Sequence, residues 1–154
     1  GAFEVQPALR PNAYADPGKF DIAGHTLDLT NVKGDMFILG GTTDHITPWQ
    51  ACYRSTQLFG GKNIDFILSQ AGHMQSILNP PGNPKAKYWR YTKGGKPPKD
   101  VKEWMKGTEE VAGSWWPYWI EWLQKRAGKQ VAANAVGSKA HPPMENAPGL
   151  YVLD

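Results

Sequence analysis

Two short segments hold residues able to do acid–base chemistry. Thr43-Asp44-His45-Ile46-Thr47-Pro48-Trp49 sets an acid beside a histidine, and Ala71-Gly72-His73-Met74 offers a second histidine directly after a glycine. A carboxylate facing an imidazole can accept its N–H, fix its tautomer and stabilise the imidazolium that forms when the ring takes a proton from a nucleophile. Asp44 and His73 are the candidate pair. The same residues admit a structural reading, with Asp44 capping a helix that starts near Pro48 and His73 serving as a hydrogen-bonded loop residue. Residue types and spacing leave both readings open. His45 adjoins the acid and reads as a supporting donor or a surface residue, while His25 and His141 lie in turn-like contexts with nothing to pair them. The four histidines show no metal-ligand spacing.

The elements around the pair favour its assembly. Met36-Phe37-Ile38-Leu39 is a continuous apolar run ending in Gly40-Gly41, the pattern of a strand buried on both faces and released into a tight loop. Pro48 suits a first helical turn, and Trp49, Cys52, Tyr53 and Thr56 recur at helical spacing until Gly60-Gly61. Ile64 to Leu68 is a second short apolar run. This order predicts a βαβ unit with parallel strands and a right-handed crossover. Loops leaving the carboxyl ends of such strands collect catalytic groups, so Asp44 and His73 are neighbours by topology.

Elsewhere the sequence is more irregular. Residues 1–20 read as an irregular lead-in, Thr26 to Leu29 as a short strand, and Val32 to Gly34 as a turn. The five prolines between Asn79 and Lys99 predict a long irregular excursion. Ser114 is a candidate N-cap for a helix with Trp115, Trp119 and Trp122 on one stripe and Trp116, Ile120 and Leu123 on the next, ending near Gly128. Pro117 is tolerated in its first turn. So aromatic a helix is expected to dock on a sheet face rather than to form a cofactor box. From Lys129 onward the chain reads as an extended tail.

Composition narrows the function class. At 154 residues the chain suits one domain, and its 18 aromatic residues with 20% charge argue against disorder. Cys52 is the only cysteine, which excludes an internal disulfide and points to a reducing compartment. No apolar run approaches the roughly 20 residues of a membrane span, and Gly1-Ala2-Phe3-Glu4 does not resemble a signal peptide. Eight of the 17 basic residues fall between Lys85 and Lys106, giving that stretch a net +6 against −3 elsewhere. It reads first as a solvated loop leading into a helix that exposes Lys99, Lys102 and Lys106, although a coenzyme A phosphate could also use the charge. No nucleic-acid fold signature accompanies it.

If Asp44 and His73 form a catalytic pair, a nucleophile is missing. In α/β-hydrolase folds the nucleophile precedes the acid, in a G-x-S-x-G type elbow, and no such elbow stands between Gly1 and Asp44. Cys52 follows the acid inside a predicted helix and reads as a buried thiol, and Ser76 comes just after His73. The nucleophile is therefore expected upstream of Gly1.

The blocks Gly40 to Ser55 and Gly72 to Ala86, continued by Ser114-Trp115-Trp116 and by Ala147 to Val152, closely resemble the C-terminal part of polyhydroxyalkanoate synthases. The resemblance implies residues 1–154 to be a C-terminal fragment of one α/β-hydrolase-like catalytic domain, α/β in class, with parallel strands, covering helices and an incomplete sheet. It implies an acyltransferase that polymerises (R)-3-hydroxyacyl-coenzyme A into polyester and releases coenzyme A. Asp44 matches the family's catalytic acid and His73 its catalytic histidine, with a cysteine nucleophile in the missing part. Coenzyme A belongs to substrate and product, so no cofactor is expected. The implied setting is cytoplasmic, at the surface of polyester granules, with the full-length enzyme a homodimer. No nucleic acid or membrane span is involved, and the fragment alone is expected to be inactive. The rival readings are an esterase or depolymerase of the same fold and a noncatalytic module that binds granules or a partner.

Overall fold

The computed structural model of the chain describes residues 13–153. Their centre is a four-stranded sheet in the order β3-β4-β5-β6, made of Met36–Gly41, Ile64–Ser69, Lys87–Tyr91 and Thr108–Ala112. A separate antiparallel hairpin, β1 (Asp21–Ile22) and β2 (His25–Thr26), precedes it. Four helices accompany the strands: α1 (Trp49–Leu58), α2 (His73–Ile77), α3 (Val101–Lys106) and α4 (Trp116–Gln124). The class is α/β with a mixed sheet.

β3 and β4 pair in parallel from Met36 opposite Ile64 to Gly41 opposite Ser69, with α1 between them in sequence. This is the βαβ unit predicted from the two apolar runs. Their continuity follows from burial on both faces. Phe66 and Leu68 join Tyr53 of α1 and Trp104 of α3 in one cluster, with Ile38 packed against it. Ile67 points the other way, into a cluster with Tyr88 and Trp115, against which Phe37 and Leu39 pack. Trp115 and the aromatic helix α4 that follows it cover this second face, with the Trp115, Tyr118 and Trp122 ring centroids within 6 Å of that of Phe37.

The parallel pairing expected of the strands holds for β3 and β4 and does not extend across the sheet. β5 runs antiparallel to β4, and β6 antiparallel to β5. The irregular excursion predicted for 79–99 therefore contains a strand, because Pro80, Pro81, Pro84, Pro97 and Pro98 all lie outside Lys87–Tyr91. Within β5, Trp89 and Tyr91 pack on the α1–α3 cluster while Tyr88 enters the other, the period-2 alternation of a covered strand. Its basic residues are matched across the ladder: Lys87 bonds both carboxylate oxygens of Glu110, and Arg90 pairs with Glu109. The basic stretch is thus part strand and part helix, and partly neutralised.

Three smaller expectations also shift. The strand predicted at Thr26–Leu29 is only His25–Thr26, because Asp28 accepts the Thr30 N–H and hydroxyl and starts a 3-10 turn at Leu29–Asn31. Pro48 is the N-cap of α1 rather than its first residue. α4 ends at Gln124, short of Gly128, with the Arg126 and Ala127 N–H groups closing on the Leu123 carbonyl. The first twelve residues of the predicted lead-in lie outside the described ones.

By its internal contacts the chain forms two compact units that meet in sequence between Trp122 and Leu123. The first holds the sheet. In the second, Lys129 to Leu150 forms no helix or strand, and Val131, Val136 and Met144 are exposed before a 3-10 turn at Tyr151–Leu153.

Candidate active site

The carboxyl ends of β3 and β4 lead into two loops that are stitched together. Beyond the last strand pair, Thr42 N–H donates to the Ser69 carbonyl at 2.9 Å and Thr43 N–H to the Ala71 carbonyl at 3.2 Å. Gly41 makes this closeness possible. A Cβ there would lie 2.8 Å from the Ala71 carbonyl and 2.9 Å from the Ser76 side chain, inside contact distance. Asp44 leaves the first loop and His73 opens α2 after the second.

The two side chains meet. His73 Nδ1 stands 2.9 Å from Asp44 Oδ2. The carboxylate is 6% exposed and the imidazole 37%, so the acid is covered and the ring remains reachable. Asp44 Oδ1 accepts the backbone N–H groups of Ile46 and Thr47, each at 2.9 Å, and Oδ2 also accepts the Thr47 hydroxyl at 2.7 Å. The structural and chemical readings of Asp44 therefore both hold: one oxygen ties the turn before α1 and the other faces the imidazole. The backbone bond from Thr47 holds the carboxyl well below the usual carboxylate range; burial opposes this, and the Thr47 hydroxyl, His73 and the Ile46 N–H add to it. Asp44 is thus an acceptor only, and His73 meets it by donating Nδ1–H. That tautomer leaves Nε2 as the basic nitrogen.

The remaining candidates fall elsewhere. His45 is exposed beside the acid. His25 belongs to the β1–β2 hairpin, and the backbone of His141 bonds with that of Ser138. Cys52 is half-buried in α1 with Sγ 3.7 Å from the Thr47 carbonyl. Ser76 is 2% exposed, and its hydroxyl donates to the His73 carbonyl within α2. Among the described residues no group of three or more His, Cys, Asp or Glu could hold a metal ion.

The loops that carry the pair also wall a cleft of about 460 Å³, lined in part by Thr42, Thr43, Gln70, Gln75, Asn83 and Lys85 and not by Asp44 or His73 themselves. Its polar wall carries amides and one ammonium, groups that bond carbonyl and phosphate oxygens. Two supports were not legible from residue type. Thr47 holds the acid, although its position three residues after an aspartate is the mark of a side-chain-bonded turn. Gly41 acts through the space it leaves empty.

A covered carboxylate that accepts from an accessible imidazole, at the ends of adjacent parallel strands, is an arrangement able to do acid–base chemistry on an α/β sheet. Comparison with known proteins shows what the chain is similar to. The chain is 47% identical over 151 residues to poly(3-hydroxyalkanoate) polymerase 1 of Ectopseudomonas oleovorans, covering 97% of the chain and 25% of that relative. It is 38% identical over 137 residues to a poly(3-hydroxyalkanoate) polymerase subunit of Cupriavidus necator, and 39% over 135 residues to the poly(3-hydroxyalkanoate) polymerase of Methylorubrum extorquens; each match covers 88% of the chain. No protein-family model matches. The chain is a relative of the poly(3-hydroxyalkanoate) polymerases and spans about a quarter of the length of those it matches.

Proposed function

We propose that this chain supplies the acid and base of a polyhydroxyalkanoate polymerase, with Asp44 and His73 serving a cysteine nucleophile carried in the part of the enzyme beyond these residues. The single observation that carries the reading is the 2.9 Å contact between His73 Nδ1 and a carboxylate whose other bonds keep it ionised. His73 Nε2 takes the thiol proton, and the thiolate attacks the carbonyl carbon of an (R)-3-hydroxyacyl-coenzyme A thioester. The tetrahedral intermediate expels coenzyme A, which leaves with the proton from Nε2, and the acyl group stays on sulfur. In elongation Nε2 takes the proton of a 3-hydroxyl, whose oxygen attacks the carbonyl carbon of a second thioester; the C–S bond breaks as the ester forms, and the expelled thiolate takes that proton back from Nε2. Asp44 orients the ring and offsets its charge in each step.

Polymer formation is favoured over ester hydrolysis because the matched relatives are named as polymerases. The fold is read as part of an α/β-hydrolase-like catalytic domain whose other strands lie outside this chain. Lys85 and the amides of the adjacent cleft suit the phosphates and pantetheine amides of coenzyme A, which enters with the substrate and is no resident cofactor. Among the described residues no helix is long and apolar enough to cross a membrane. The proposed setting is the surface of a cytoplasmic polyester granule, with the full-length enzyme acting as a dimer. His73→Ala in the full-length polymerase is expected to abolish coenzyme A release from 3-hydroxyacyl-coenzyme A. Near-normal release would overturn the assignment.

A further inference from the structure

We propose that Trp115 and Trp116 are positioning residues for His73: their indole N–H groups fix the carboxyl end of the helix that carries it. The inference rests on the proposed role of His73 and deepens it. α2 is five residues long, too short to persist by itself, and its last carbonyls lack partners within the helix. Two of them are taken up from far along the chain. Trp115 Nε1 donates to the Ser76 carbonyl at 2.8 Å, and Trp116 Nε1 to the Ile77 carbonyl at 2.9 Å. The Ser114 hydroxyl donates to the Asn79 carbonyl just beyond, while accepting the Trp116 N–H at 3.0 Å. Three consecutive residues thus grip three carbonyls of one short segment.

The grip is anchored. Trp115 is 7% exposed and packs with Ile67 and Tyr88 on the sheet face, so its donor is fixed to the core. Ser76 and Asn79 are buried as well. Gly113, at φ +99°, turns the chain from β6 toward the three residues, and its N–H donates to the Ala86 carbonyl at 2.7 Å. On the other side Gly41 leaves room for Ser76. α2 is therefore held between the β3 terminus and the two indoles, with His73 at its opposite end facing Asp44. A displacement of about 1 Å would take the 2.9 Å contact beyond hydrogen-bond distance. Shifts of this size in a catalytic group cost on the order of a hundredfold in rate. Tryptophan suits the task because it joins an apolar body, which roots in the core, to a nitrogen that can only donate.

The test uses the full-length polymerase with Trp115→Phe, Trp116→Phe and the double change, and with benzothienylalanine at either position to keep the bicyclic shape without the N–H. Three quantities are read: kcat and KM for coenzyme A release, the thermal midpoint, and the His73 tautomer by 15N NMR of histidine-labelled enzyme, assigned with His73→Gln. The expected result is a fall in kcat of about tenfold or more with KM within about twofold, and a His73 signal that changes from the Nδ1–H form to a mixture. The benzothienylalanine variants should show this at a near-normal thermal midpoint. An unchanged tautomer, an unchanged kcat, or a loss of activity proportional to lost folded enzyme would overturn the proposal. If His73→Ala keeps activity, the assignment of the base fails separately, and the tautomer still reports on the grip.

Discussion

Asp44 and His73 meet at one contact, but their supports differ in range. The acid is held by its own loop, through Ile46 two residues on and Thr47 three residues on. The base is held by distant chain: Gly41 behind its helix, and indoles 39 positions later in sequence. A locally built acceptor keeps its geometry whenever its loop forms. A base that depends on tertiary contacts keeps its geometry only while sheet, turn and aromatic helix are packed together. The acid is thus preorganised by local chain, and the base by the fold.

The largest effect expected on this comparison is at the acid. Asp44→Asn keeps the shape of the side chain and removes the charge, and an amide can present its NH2 to the imidazole and favour the wrong tautomer. In the full-length polymerase, coenzyme A release should fall by roughly a thousand- to ten-thousandfold with little change in thermal midpoint. A loss under tenfold would mean that the carboxylate only ties its turn.

Gly41→Ala attacks the support of the base instead. The new methyl would sit 2.8–2.9 Å from the Ala71 carbonyl and Ser76, and backbone rather than a flexible side chain must yield. The expected cost is about 1–3 kcal/mol of stability, read as a lower thermal midpoint, together with a drop in kcat as the His73 turn moves off the Asp44 loop. Normal stability and activity would show that the two loops are not held by this close approach.

The same contrast of range explains how much could be read from the residues. β3, α1 and β4 were legible because burial on both faces writes continuous apolar runs, and topology then placed Asp44 beside His73. β5 and β6 were not. Lys87 and Arg90 look like a solvated basic loop until Glu110 and Glu109, 23 and 19 positions later, are set opposite them. Trp115 and Trp116 were legible as apolar bulk, since a helical stripe reports burial. The destination of an indole N–H is a tertiary fact that no stripe carries.

Thr47→Val should give the smallest effect, and it separates the two halves of the acid's support. It removes the hydroxyl bond to Oδ2 and keeps the backbone N–H bond to Oδ1, which is the largest influence lowering the Asp44 carboxyl. A carboxyl lowered on folding contributes its charge-dependent bonds fully above its ordinary value of 3.8 and loses them as pH falls through the folded value. In the variant the folded value moves up toward 3.8 without reaching it, so any acid-limb loss from this group begins at higher pH than in the parent enzyme. At neutral pH the carboxylate stays ionised, and kcat should fall only on the order of fivefold through looser orientation of Oδ2. Thr47→Ser, which retains the hydroxyl, should recover most of that loss. Rates at neutral pH on the full-length polymerase and both variants decide the point. A hundredfold loss at neutral pH in Thr47→Val, unrecovered in Thr47→Ser, would mean that the methyl matters more than the hydroxyl and that the acid too depends on packing beyond its own loop.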